Sequence, residues 1–189
     1  MIKLVDYIKK CLKNSEFKKY WQEDAGVSEE FTSTTESFSE TYTELSELFE
    51  SAEEYESKLD ALIKNKGIKG ADTHMTVEFY ETENNKCPVI DFLESIQDQK
   101  LKEKTVKNIY NLGEQGTAMI KTKQAAHVAG AIFELRTQQG NNIDRIFYFF
   151  ILGNKIILTN GYIKKTQKLD QQELARAQRY FKQYMKDNL

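Results

Sequence analysis

From Ile146 to Leu152 the chain reads Ile-Phe-Tyr-Phe-Phe-Ile-Leu, seven positions without a charge. Successive side chains of a strand point to opposite faces of its sheet, so a strand with one wet face alternates apolar and polar residues. An unbroken apolar run, flanked by Asp144-Arg145 and by Gly153-Asn154, predicts a central strand covered on both faces. The fold must therefore supply a second layer above and below a sheet. Phe147 to Phe150 are expected in the core, not on a surface that stacks bases.

Two further strands are expected beside it, over about 131–137 and 155–163, with turns at Gly140-Asn141-Asn142 and Gly153-Asn154. An earlier strand is expected at Val77–Tyr80. Pro88 suits the first position of a helix, where its missing N–H costs nothing, and Val89, Phe92, Leu93 and Ile96 line one face. A second helix carries Leu101, Val106, Ile109 and Tyr110 and ends near Gly113 and Gly116. A last helix places Leu174, Ala177, Gln178, Phe181 and Met185 on one side. The order strand, helix, helix, three strands, helix predicts an α+β fold with a small, mostly antiparallel four-stranded sheet and flanking helices.

Ahead of this unit lies a segment of different character. Residues 1–74 hold 10 Lys and Arg against 16 Asp and Glu, whereas residues 75–189 hold 17 against 13. The net charge of −2 thus hides an acidic N-terminal region joined to a basic domain over 75–189. Such asymmetry suggests a nucleic-acid surface, or an intramolecular partner for one. Leu4, Val5, Ile8, Cys11 and Leu12 recur at helical spacing, and Phe17, Tyr20 and Trp21 continue the stripe beyond Asn14-Ser15-Glu16. About residues 24–43 read as a flexible acidic linker, rich in Ser, Thr and Glu. Leu45, Leu48, Ala52, Tyr55, Leu59 and Leu62 follow a heptad seam, so a helix is expected over about 41–65, ended by Gly67. Two amphipathic stretches need apolar partners, which predicts docking of residues 1–65 on the C-terminal domain or in a homodimer.

Cations punctuate the strands of the basic domain. Alternation from Phe133 and Leu135 inward places Glu134 and Arg136 outward, and Arg145 lies across a short turn. Both arginines are expected to be exposed on one patch. Lys164, Lys165 and Lys168 follow the last strand, and Lys121 and Lys123 precede the second. Arginine stays charged at any working pH and contacts phosphate through two parallel N–H donors. A cluster of this kind can hold an RNA backbone and stabilise the charge of a pentavalent phosphorane.

The ordered set Phe133–Arg136, Asp144–Phe150 and Asn160–Lys168, followed by an amphipathic helix, resembles the RelE/HigB-type toxins of bacterial toxin–antitoxin systems. The resemblance is strongest to a phage-associated HigB-like branch and spans roughly residues 75–189. It implies a RelE-like fold and metal-free, ribosome-dependent cleavage of mRNA, in which a 2′-hydroxyl attacks the adjacent phosphate. It further implies catalytic roles for Arg136, Arg145, Lys164 and Lys165, and RNA binding by Lys121, Lys123, Tyr162 and Lys168. The implied partners are mRNA, the ribosome and a HigA-like antitoxin. The opening stretch from Asp6 to Trp21 is itself similar to the first helix of some HigA-type antitoxins. Many members of the branch carry histidine where this chain has Asn160, and an amide is no general base. Two other readings share the fold: a non-enzymatic ParE-like gyrase inhibitor, and a self-neutralised module whose N-terminal region occupies the basic face. The arginine pair favours the nuclease.

Other chemistries lack their signatures. No spaced Cys/His set suggests a metal, no glycine-rich loop opens a helix to cradle phosphate, and no cofactor is expected. Cys87 reads as a neighbour of a helix start, His127 as a loop residue and His74 as part of a junction. No apolar run nears the ~18–20 residues that span a bilayer. The mean hydropathy is −0.63. Two distant cysteines, Cys11 and Cys87, suit a reducing cytoplasm.

Overall fold

A computed structural model describes residues 2–24, 75–151, 155–164 and 168–188. The expected linker, the heptad helix over 41–65 and its Gly67 cap lie outside the described residues.

The long apolar run forms β5 (Asn142–Ile151), with β4 (Ile132–Gln139) and β6 (Lys155–Ile163) on either side. Phe147, Tyr148 and Phe149 are fully buried and Phe150 nearly so, as expected of a strand covered on both faces. Completing the sheet are β1 (Ile2–Lys3), β2 (Thr76–Phe79) and β3 (Ala125–Ala129), in the order β1-β2-β6-β5-β4-β3. The α+β class holds. The sheet is nonetheless six-stranded and mixed, because β2 runs parallel to β6 while every other pair is antiparallel.

Register sorts the side chains into two layers. Leu135, Thr137, Asp144, Ile146 and Tyr148 face α3 (Pro88–Ser95) and α4 (Gln99–Gln115). Glu134, Arg136, Arg145, Phe147 and Phe149 face the opposite side, where α5 (Gln171–Asn188) covers part of the sheet. Phe149 meets Phe181 and Tyr184 of α5 edge-on, with ring centroids 5.0 and 5.3 Å away. Between Phe147↔Asn160 and Tyr148↔Leu158 one residue of β6, Thr159, is extra. This bulge re-aims the end of β6.

Local chemistry starts and stops the helices. Pro88 occupies the first turn of α3, and Cys87 is its N-cap residue without a side-chain cap bond. Asp98 caps α4 by accepting from Leu101 N at 3.2 Å, and Gly116 ends it at φ 51°. Asp170 accepts from Gln172 N and Glu173 N to cap α5.

The N-terminus departs from a single helix. Ile2 and Lys3 pair with Phe79 and Glu78 as a sixth strand before α1 (Leu4–Cys11) begins. The open edge of β2 offers backbone partners there, and tertiary pairing outweighs helical periodicity. Asn14 Oδ1 caps α2 (Ser15–Asp24) through Glu16 N and Phe17 N. Leu4, Tyr7, Ile8, Phe17 and Trp21 enter the same core as the sheet. Tyr7 packs on Phe79 and Trp21 on Tyr110, at 5.8 and 5.5 Å. An unexpected strand is β3, which carries His127 and removes it from a loop. Its Ala-Ala-His-Val-Ala sequence has weak strand propensity, and pairing with β4 holds it in place.

Two outcomes follow. A chain shortened to begin at Met75 loses β1 and five buried apolar side chains, so its thermal midpoint is expected to fall well below that of the full chain. A Cβ at Gly161 would lie 2.3 Å from Phe92 Cδ1 and 3.0 Å from Ile146 Cγ1, beneath α3. Gly161→Ala is therefore expected to destabilise the fold by about 1–3 kcal/mol in urea titration.

Candidate nucleic-acid interface

Three rungs cross the α5 side of the sheet. Glu134, Phe147 and Asn160 form one, Arg136, Arg145 and Tyr162 the next, and Gln138 with Ile143 the third. Lys164 extends the third rung, its N–H donated to Ile143 O at 2.8 Å. The start of α5 closes over the first rung, where Asn160 Nδ2 donates to Glu173 O at 3.1 Å and Glu173 Oε2 at 2.9 Å. At the second rung, Tyr162 OH accepts from Asp170 N at 3.4 Å. The arginine rung therefore lies at the margin of the covered area.

Arg136 and Arg145 are direct cross-strand partners, as the hairpin predicted. Their exposure differs from expectation. The Arg136 side chain is 40% exposed and that of Arg145 only 10%, because Arg145 sits on the central strand. Strand alternation points Glu134 outward with Arg136, yet its carboxylate is buried beneath the pair. Oε1 accepts from Arg136 Nε at 2.7 Å and from Arg136 Nη2, and Oε2 accepts from Arg145 Nη1 at 2.7 Å. Arg145 Nε has no hydrogen-bond partner among the described residues. One buried carboxylate thus joins two guanidiniums, leaving a net positive unit whose solvent side is Arg136.

Tyr162 is half-buried, and its ring lies 5.8 Å from that of Phe147. Burial pushes its hydroxyl pKa up, opposed by the Asp170 N–H and the Arg145 charge. Asn160 is buried, so the position that is histidine in many similar toxins lies under α5 here. Lys121 ends a 3₁₀ helix (Gly116–Lys121), and Lys123 follows it; both are exposed. Gln124, next in sequence, accepts from Arg136 N through its carbonyl at 2.7 Å. Lys168 is exposed just before α5, while Lys165 lies outside the described residues. His127 is exposed on β3, with Nε2 2.6 Å from Gly130 O. Sequence reading missed Glu134, Glu173 and Arg176 as members of this neighbourhood. Arg176 Nη1 lies 3.3 Å from Glu173 Oε2. The signal for Glu134 was present in the spacing Glu-x-Arg on one strand opposite an arginine on the next.

Residues 2–21 dock elsewhere. Tyr7 and Trp21 meet Phe79 and Tyr110, and both Tyr7 OH and Lys10 Nζ reach Glu94 of α3. These contacts lie on the α3/α4 side, so residues 2–21 leave the arginine rung uncovered. Among the described residues no group of His, Cys, Asp and Glu is placed to hold a metal ion, and no helix is long and apolar enough to cross a membrane.

The fold and this face together define a small α+β domain presenting an arginine pair at the margin of a covering helix. Residues 91–182, from α3 into α5, match the family described as "Phage derived protein Gp49-like (DUF891)". Over this segment the chain is similar to that family, which is a RelE/HigB-like toxin family associated with toxin–antitoxin systems. The match is narrower than residues 75–189 and omits β1, α1, α2 and β2. No curated protein matches the chain significantly.

Behind Arg145, on the opposite face, Asp144 is fully buried against α4. Burial pushes its carboxyl up to about 7, against the hydrogen bonds of Thr105 and Thr137. Thr105 Oγ1 lies within hydrogen-bond reach of both Leu101 O and Asp144 Oδ2, yet it has one hydrogen. Protonation of Asp144 removes the cost of burying its charge. Its pKa is higher folded than unfolded, so the stability this proton confers is complete below about 4 and lost as pH rises through about 7. A shift of this size corresponds to about 4 kcal/mol at most. Asp144→Asn is expected to flatten unfolding free energy between pH 4 and 8, measured by urea titration at each pH.

Proposed function

We propose that this protein is the toxin of a type II toxin–antitoxin system and acts as a ribosome-dependent mRNA endoribonuclease. The observation that carries the reading is the Arg136–Arg145 pair, in register on adjacent strands at the margin of the area that α5 covers. The Gp49-like match over residues 91–182 supports the toxin class. In the reaction proposed, a ribose 2′-oxygen forms a bond to the adjacent phosphorus and the bond to the 5′-oxygen breaks. The 2′-hydroxyl proton leaves to solvent and the 5′-oxygen takes one up, giving a 2′,3′-cyclic phosphate and a 5′-hydroxyl. Arg136 donates to the phosphate oxygens, and Arg145 adds charge from behind it. Such charge is worth most where it develops in the transition state.

Lys164 extends the cationic strip along the path of the RNA, and Lys165, next in sequence, adds a further positive charge. Lys121, Lys123 and Lys168 hold flanking phosphates, and the half-buried Tyr162 offers a ring edge to a base. Asn160 takes no part as a base, so rate enhancement rests on positioning and charge. The partners are mRNA, the ribosome and a HigA-like antitoxin that covers this face.

Induced expression in cells, with primer-extension mapping of transcripts and pulse labelling of protein and DNA synthesis, tests the reading. Rapid loss of translation with cuts in translated mRNA is the expected result. Arrest of DNA synthesis with intact mRNA would assign a gyrase inhibitor instead. Arg136→Ala is expected to reduce cleavage by about 10²–10³-fold with the fold unchanged. Arg145→Ala is expected to lose activity and also up to about 3–5 kcal/mol of stability, because it removes one partner of a buried ion pair. Calorimetry beside the cleavage assay separates the two variants.

A further inference from the structure

The carboxylate of Glu134 is 2% exposed and spends both oxygens on the two arginines. We propose that Glu134 is a positioning residue that fixes both guanidiniums and selects which of their N–H donors meet the RNA. The proposal rests on the reading of this face as an RNA-cleaving site.

A guanidinium carries five N–H donors in a rigid plane. Glu134 takes the Nε and Nη2 edge of Arg136, which turns the Nη1 edge of a 40% exposed side chain outward. It takes Nη1 of Arg145, whose side chain is nearly enclosed. Directly opposed like charges on neighbouring strands repel. The carboxylate between them makes their juxtaposition tenable, and it does so from below, leaving the solvent side open. Register dictates this: Glu134 is one rung from Arg136 on the same strand face and diagonal to Arg145. The carboxylate also adds a negative charge to a surface that binds an anion, which is a cost to RNA affinity. A group retained for affinity alone would have the opposite sign.

That sign separates positioning from a merely structural role. In full-length Glu134→Gln the face loses one negative charge, and one of the two oxygens that the guanidiniums share is replaced by an NH2 donor that cannot accept. The turnover number for ribosome-bound mRNA is expected to fall about 10–100-fold, the scale of a misplaced reacting group. Affinity for a single-stranded RNA oligonucleotide, read by fluorescence anisotropy, is expected to hold or tighten. Wild-type turnover, or affinity lost in step with turnover, overturns the proposal. If Glu134→Gln does not fold, Glu134→Asp decides, since it keeps the charge but is one methylene too short to reach both arginines. Turnover reduced at unchanged affinity supports positioning there, and wild-type turnover overturns it. Should the wild-type protein cleave no mRNA, the functional reading fails by itself. Nitrogen-edited NMR of the arginine Nε–H groups then tests positioning alone. Slow guanidinium rotation in wild type and averaged rotation in the variant support it; identical spectra overturn it.

Discussion

Everything in this fold depends on the burial of β5 from both sides. Its aromatic run cannot be left wet on either face, so α3 and α4 must cover one layer and α5 the other. The covering is unequal along the strand. Near Phe149 the helix α5 packs ring against ring, whereas near Arg145 it has not yet begun. The cationic rung exists where the apolar run gives way to Asp144-Arg145, and these two neighbours face opposite layers. One meets Glu134 and its arginine partner, the other is sealed against Thr105. Core and candidate site are thus two ends of one strand.

Much of the central sheet was legible because its signals are local. The runs over 131–137, 143–152 and 155–163 announce themselves by apolar content and turn residues, and Pro88 marks the start of α3. What escaped depends on partners distant in sequence. Ile2 and Lys3 look helical until the open edge of β2 is placed beside them. Ala125–Ala129 has no strand signature of its own, and β4 recruits it. Parallel pairing of β2 with β6 leaves no trace in either segment.

The candidate site divides in the same way. That Arg136 and Arg145 meet was readable from the length of one turn, since a short hairpin sets its own register. Their unequal exposure was not, because it depends on where each strand sits in the sheet. Nor was the burial of Glu134, which alternation assigns to a face without saying whether that face is wet. Asn160 looked like a missing catalytic base, yet Glu173 of α5 covers it and gives it a partner. In this chain that position is a fastening between β6 and the last helix.

The parallel pairing of β2 with β6 joins Val77 to Ile156, about eighty residues later in the chain. Closing so long a loop is entropically expensive, whereas the hairpins β3–β4 and β4–β5 close over two residues each. A ribosome emits β2 long before its partner strand, and β1 earlier still. Until β6 emerges, the apolar side chains of α1, α2 and β2 lack the sheet that shelters them. The growing chain therefore carries its early aromatic residues unsheltered through most of its own synthesis. The cell that makes this protein meets it first as a sticky nascent polypeptide, and only afterwards as a folded domain with its arginine pair assembled.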